Sequence, residues 1–200
     1  MQQILVIQSS ARQSGSLSRE YTATLTAKLQ AQYPQAKVVI RDIGAQPLPH
    51  LDETLLGGWM KPADQQTQEE RAAAARSDEL VDELLASDVV VIGSPMYNFG
   101  ITSTLKSWFD HVLRAGRTFK YTETGPVPLT PDRKVYVVTS RGGRHQGMPQ
   151  DHQQPYITTA LGFIGIKDVT FVHVEGQSMG DEEAGKGRAE ADKALAELAA

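Results

Sequence analysis

The sequence predicts an α/β fold: a doubly wound, five-stranded parallel sheet in the order 2-1-3-4-5, with helices on both faces. Two observations predict it. Short, nearly continuous apolar runs such as "QILVIQ" and "DVVVIGS" alternate with longer segments of helical periodicity, and strands buried on both faces read as unbroken apolar runs. The three most unusual loops, "SSARQSGSLS", "SPMYNFG" and "SRGGRHQG", each follow one of these runs, which is where such sheets bind ligands.

The elements follow in order. "QILVIQ" (3–8), bounded by Ser and Gly, is the first strand. "SLSREYTATLTAKLQAQY" places Leu17, Tyr21, Leu25 and Leu29 on one face and makes the first helix. "AKVVIRDI" (36–43) is the second strand, and Pro47, Pro49, Gly57, Gly58 and Pro62 mark the next stretch as a loop. Thr67 and Glu70 stand at capping-box spacing and open the helix "TQEERAAAARSDELVDELLAS". The third strand covers 88–94, and the third helix covers 102–116, stopped near Gly116. Residues 117–133 form an irregular excursion with a hairpin around Gly125. "KVYVVTS" (134–140) is the fourth strand, "QPYITTALGFIGI" a short helix and its exit, "KDVTFVHV" (167–174) the fifth strand, and "DEEAGKGRAEADKALAELAA" the closing helix. No repeat interrupts the pattern, so residues 1–200 form one domain.

Composition removes several functions. A net charge of −4 with scattered Lys and Arg argues against a nucleic-acid binder and leaves no polybasic patch for a membrane. There is no Cys, so disulfides, thiolate chemistry and Cys-based metal sites are excluded. His50, His111, His145, His152 and His173 show no i, i+4 pairing, and no metal site is expected. His111 and His173 read as packed or surface residues. "MQQILVIQSS" lacks a basic n-region, and no apolar run reaches the roughly 18 residues of a membrane span. A soluble, cytoplasmic chain is expected.

In this strand order the loops after strands one, three and four become neighbours at the switch point. The first carries Ser9, Ser10, Ser14, Ser16 and Ser18 into a helix N-terminus, which suits either a phosphate cradle or simple capping. It has neither G-x-G-x-x-G nor G-x-x-x-x-G-K-[ST], the fingerprints of dinucleotide and nucleoside triphosphate sites. The second crowds Met96, Tyr97 and Phe99 around Asn98, a composition wrong for a plain turn unless the rings are core. The third sets Gly142 beside Gly143, as a flexible turn or as close backbone approach to a ligand, with His145 nearby. A flat heteroaromatic ring with polar edges and a phosphate tail fits all three, and FMN is such a molecule.

On these residues the chain resembles the FMN-dependent NADH:azoreductase family, flavodoxin-like proteins grouped with quinone reductases. The resemblance runs essentially end to end and is carried by "PMYNF", "TSRGG", "LGFIGI" and "RTFKYTE". It is weakest in the first loop, where "ARQSG" departs from the family pattern. The resemblance implies bound FMN, with NADH or NADPH as donor and quinones or azo compounds as acceptors, the latter cleaved to amines. It implies that Ser10 and the Ser16-Leu17-Ser18 turn hold the phosphate, and that Met96, Tyr97, Asn98 and Phe99 line the ribityl chain and ring. Ser140, Arg141, Gly142 and Gly143 would meet the ring's polar edge, with His145 in an electrostatic role. Tyr121 and Phe163 would wall the substrate space over the exposed flavin face. A homodimer with flavins near the subunit interface and ping-pong, two-electron turnover are further implications. Two other classes stand beside this one: a non-catalytic flavodoxin-type electron carrier, and a hydrolase using Ser94 or Ser140 with His145. Neither serine lies in G-x-S-x-G.

Overall fold

The structure, a computed structural model, describes residues 1–198. In chain order it runs β1 (Gln3–Gln8), α1 (Leu17–Gln32), β2 (Lys37–Asp42), α2 (Glu53–Met60), α3 (Gln68–Ala86), β3 (Val89–Pro95) and α4 (Ser103–Val112). The hairpin β4 (Phe119–Thr122) and β5 (Gly125–Pro128) follows, then β6 (Lys134–Ser140), α5 (Gln153–Phe163), β7 (Val169–Val174) and α6 (Asp181–Glu197). The main sheet has the order β2-β1-β3-β6-β7 with every pairing parallel. With the hairpin strands set aside, that is the expected 2-1-3-4-5.

Alternation within the strands decides which helix packs on which face. Ile4 and Val6 of β1 share a core with Tyr21, Leu25 and Leu29 of α1 and with Ala191 and Leu195 of α6. Their neighbours Leu5 and Ile7 face the other way, into a core with Leu84 of α3, Trp108 and Phe109 of α4, and Leu161 of α5. Because both faces are covered, each position of β3 is buried, and its sequence shows no polar alternation. Each fully buried Leu or Ile contributes about 1.5–3 kcal/mol, so the two cores dominate the fold's stability.

Two boundaries differ from expectation. The stretch read as a loop between β2 and α3 contains α2, begun by Asp52, whose carboxylate accepts from the Leu55 amide at 2.8 Å. Its glycines are contact surfaces, not breakers: a Cβ on Gly58 would lie 2.4 Å from the Glu70 carbonyl oxygen of α3. The helix α4 ends at Val112, before Gly116. There the Thr118 hydroxyl accepts from the Arg114 amide (2.9 Å) and donates to the Val112 carbonyl (2.7 Å), capping the last turn from outside. The capping box of α3 is as expected, with both Thr67 and Glu70 bonds formed. The closing helix is expected to reach residue 200, and residues 199–200 lie outside the described ones.

Candidate functional site

The loops after β1, β3 and β6 meet at the carboxyl ends of these strands, around a cleft of about 230 Å³. Ser10, Ser16, Leu17, Met96, Tyr97, Ser140, Arg141 and Gly142 all border it. Ser16 is the N-cap residue of α1, yet its side chain makes no capping bond. Its Oγ instead donates to Ser10 Oγ at 2.9 Å and lies 3.2 Å from Ser18 Oγ. Three hydroxyls thus gather at the positive end of a helix dipole, each able to turn a proton toward an anion. Ser9 does not join them: its hydroxyl is bonded to the Gly93 carbonyl at 2.7 Å.

Arg19 shapes this loop from behind. Its guanidinium donates to the carbonyls of Arg12 (2.8 Å) and Ser10 (2.9 Å) while forming a two-pronged pair with Asp42. The Arg19 bonds hold the Asp42 carboxyl below its ordinary range. Carbonyls that would repel a phosphate are therefore drawn onto Arg19.

The second loop is a tight turn. Tyr97 and Gly100 exchange backbone bonds, each 3.1 Å, around Asn98 at φ 48° and Phe99 at φ 69°. Two successive left-handed residues define this turn type, in which Asn is at home and the next position ordinarily falls to Gly. A Phe held there, half exposed, stores strain of the sort that gathers at ligand sites. Its ring meets His145 edge-on at 5.9 Å, which closes the rim between the second and third loops.

The third loop leaves β6 through Ser140, whose carbonyl accepts from the Met96 amide at 2.9 Å and ties it to the end of β3. Its own carbonyls are taken by the segment after β7: Gln177 N bonds Arg141 O (3.2 Å), Ser178 N bonds Gly142 O (2.8 Å) and Gly176 N bonds Gly143 O (3.0 Å). With the carbonyls engaged on that side, the amides of Gly142 and Gly143 have no acceptor among the described residues. The Arg141 side chain is turned into the protein. It is fully buried, with Nη1 on Asp151 (2.9 Å) and Glu175 (3.1 Å) and Nε on Gln153 (3.1 Å). Only the backbone of Arg141 is placed to meet a ligand.

Tyr121 and Phe163 are not brought to the cleft within one chain. Phe163 ends α5, whose first residue Gln153 touches Ser94 at the cleft end; ten residues of helix put about 15 Å between them. Tyr121 belongs to the same distant cluster, since both rings pack on Phe119, at 5.4 and 4.6 Å. Of the two serines of the hydrolase alternative, Ser94 is fully buried and its hydroxyl accepts from Gln153 Nε2 at 3.0 Å, whereas Ser140 borders the cleft. His111 is packed, with Nε2 3.1 Å from the Pro49 carbonyl. The sequence reading overlooked Glu175, Gln177 and Ser178, although the rule that selected the other three loops applies equally to the one after β7.

The chain matches the model of a family described as having a flavodoxin-like fold over residues 2–199. It is 55% identical over 199 residues to an FMN-dependent NADH:quinone oxidoreductase of Azotobacter vinelandii, covering all of both chains. A second such enzyme, from Pseudomonas fluorescens, is 52% identical with the same coverage. Among solved structures, an azoreductase of Bacillus anthracis superposes with a TM-score of 0.91 at 28% identity, covering 100% of this chain and 99% of that one. An FMN-dependent NADH-azoreductase of the same species, in complex with FMN, gives 0.86 at 26% identity, covering 99% and 100%.

Proposed function

The chain belongs to the flavodoxin-like fold family, and from that premise we propose that it is an FMN-dependent NADH:quinone oxidoreductase that also reduces azo compounds. The observation that carries the reading is the N-terminus of α1, where the hydroxyls of Ser10 and Ser16 border the cleft, Ser18 Oγ lies 3.2 Å behind Ser16, and the first helix amides have no side-chain cap. The cleft itself suits a phosphate and its polar tail, since a whole cofactor needs roughly 300–1,000 Å³. The ring is left to the rim of Asn98, Phe99, Gly143 and His145. FMN held there would supply the two-electron chemistry between NADH and a quinone or azo acceptor.

The protein's part is position and field. Ser10, Ser16 and Ser18 donate to the phosphate, with Leu17 contributing its helix amide. Met96, Tyr97, Asn98 and Phe99 hold the ribityl chain and ring. The amides of Gly142 and Gly143, with Ser140, the Arg141 backbone and His145, offset negative charge that builds on the ring's polar edge. No side chain need act as a nucleophile. A homodimer belongs to this reading. Tyr121 is 72% exposed and lies, with Phe163, at the end of the sheet opposite the cleft, so these rings wall a flavin only if it is the partner protomer's. The reading places the enzyme in the cytoplasm; no helix among the described residues is long and apolar enough to cross a membrane.

The purified protein should be yellow and should release FMN, not FAD, on denaturation. Ser16→Ala with Ser18→Ala should weaken FMN binding by tenfold or more while the fold persists, because a hydrogen bond to a charged group contributes about 1.5–3 kcal/mol. Colourless protein that ignores added FMN would end the reading. Undiminished affinity in the double mutant would move the phosphate elsewhere.

A further inference from the structure

Beneath the amide-rich loop lies a buried polar network that the flavin reading does not use. Glu175, just past β7, accepts at one carboxylate oxygen from three donors: the His145 amide (2.8 Å), the Gln146 amide (2.9 Å) and Arg141 Nη1 (3.1 Å). Asp151 pairs with the same guanidinium nitrogen at 2.9 Å, while its other oxygen accepts from the Gln153 and Gln154 amides that open α5, both at 3.1 Å. Gln153 continues the chain to the Ser94 carbonyl at 2.7 Å, at the end of β3. The carboxylates are 4% and 7% exposed, and Arg141 is wholly enclosed. Behind Glu175 the backbone has no slack, since a Cβ on Gly187 of α6 would lie 2.0 Å from the Glu175 carbonyl oxygen.

We propose that Glu175 is a positioning residue for the flavin site: it fixes the course of residues 141–146, and with Asp151 it leaves one uncompensated negative charge beneath the ring's polar edge. The count is two carboxylates against one guanidinium. Burial pushes the Glu175 carboxyl up, but the two amides and Arg141 outweigh it and hold the group below its ordinary range. His173, which feels Arg141, Glu175 and Asp151, adds no charge at neutral pH, since burial and Arg141 hold it at about 4. A carboxylate accepting two consecutive loop amides is also stronger than a neutral acceptor, so the loop's shape and the site's field come from one side chain. A fixed negative charge there disfavours the reduced, more electron-rich cofactor, which keeps it a ready donor to quinones.

The inference rests on the FMN reading for its electrostatic half only. Its geometric half is tested on apoprotein, by hydrogen exchange at the His145 and Gln146 amides. Glu175→Ala should speed exchange of both by tenfold or more, while Glu175→Gln, which keeps an acceptor oxygen, should leave them protected. The electrostatic half is tested by redox titration of the FMN-loaded protein. Glu175→Gln should raise the affinity for reduced over oxidised FMN about tenfold, an upward shift of about 30 mV for a two-electron couple. Unchanged exchange in Glu175→Ala would overturn the positioning role. An unmoved or lowered potential in Glu175→Gln would overturn the charge. Wild-type protein that binds no FMN would instead fail the functional reading, and the exchange result would still stand.

Discussion

Phe99 holds a backbone conformation that side chains other than Gly, Asn and Asp rarely adopt, at φ 69° directly after Asn98 at φ 48°. Strain of this kind amounts to about 1–3 kcal/mol per residue. Phe99→Gly removes it, and the added freedom of the unfolded chain takes back about 0.5–1 kcal/mol. The apoprotein should therefore be as stable as wild type or firmer by up to about 2.5 kcal/mol in urea titrations, while FMN should dissociate faster if Phe99 borders its ring as proposed. A less stable apoprotein would mean that the His145 contact outweighs the strain. His173 makes the second single-residue prediction. Its Nδ1 lies 2.8 Å from Thr139 Oγ1 and its ring stacks on Phe171, and burial holds its pKa at about 4. In the unfolded chain it takes a proton near pH 6.5, so between those values the unfolded state binds more protons and stability falls as the solution is acidified. The loss reaches about 3 kcal/mol at the acid end of that window. His173→Gln should flatten the decline between pH 6.5 and about 4 in denaturant titrations. A decline as steep as wild type would assign it to other groups, His111 among them, whose pKa burial also lowers.

Helix α2 was hidden because its glycines looked like punctuation, and the contacts that explain them come from a helix not yet folded onto it. Replacing each by Ala separates the two causes. A Cβ at Gly57 would meet only the end of the Glu70 side chain, at 2.3 Å from Oε1, whereas at Gly58 it would meet the Glu70 backbone oxygen at 2.4 Å. Both variants gain about 1 kcal/mol of helix propensity. Gly57→Ala displaces a flexible carboxylate and weakens its bonds to Thr67 and Lys61, so its net effect should be small. Gly58→Ala has to move α2 off α3 and should destabilise by about 1–3 kcal/mol; equal melting temperatures for the pair would refute the close-approach account. The strands and the other helices were legible because period and apolar run length depend on neighbours along the chain. The start of α1 was legible for the same reason: Ser16 and Ser18 open a helix whose beginning the sequence marks. The role of the Arg141 side chain was not, since its partners Asp151 and Glu175 come from elements 10 and 34 residues away. Nor could sequence place Tyr121 and Phe163 relative to the cleft, because that depends on which end of α5 faces it.

At the scale of the whole molecule, the open rim over Phe99 and His145 and the distant Tyr121–Phe163 cluster make one argument about the order of events. Among the described residues the β1, β3 and β6 loops meet at one cleft, and no dinucleotide fingerprint occurs in the sequence to hold the nicotinamide donor elsewhere. NADH and the acceptor must then use the same exposed face in turn. The oxidised nicotinamide has to leave before a quinone enters, and double-reciprocal plots should show parallel lines. Mixing with NADH alone, without oxygen, should bleach the yellow colour, and a later quinone pulse should restore it. If the partner's rings complete that shared space, Tyr121→Ala or Phe163→Ala should raise KM for donor and acceptor together while FMN binding, made by the other end of the sheet, stays at its wild-type affinity. Dilution below the dimer's dissociation constant should imitate both variants at once. Intersecting lines, or bleaching that requires acceptor already bound, would demand two separate sites. An effect of the ring variants on one substrate alone would leave the two substrates without a common wall.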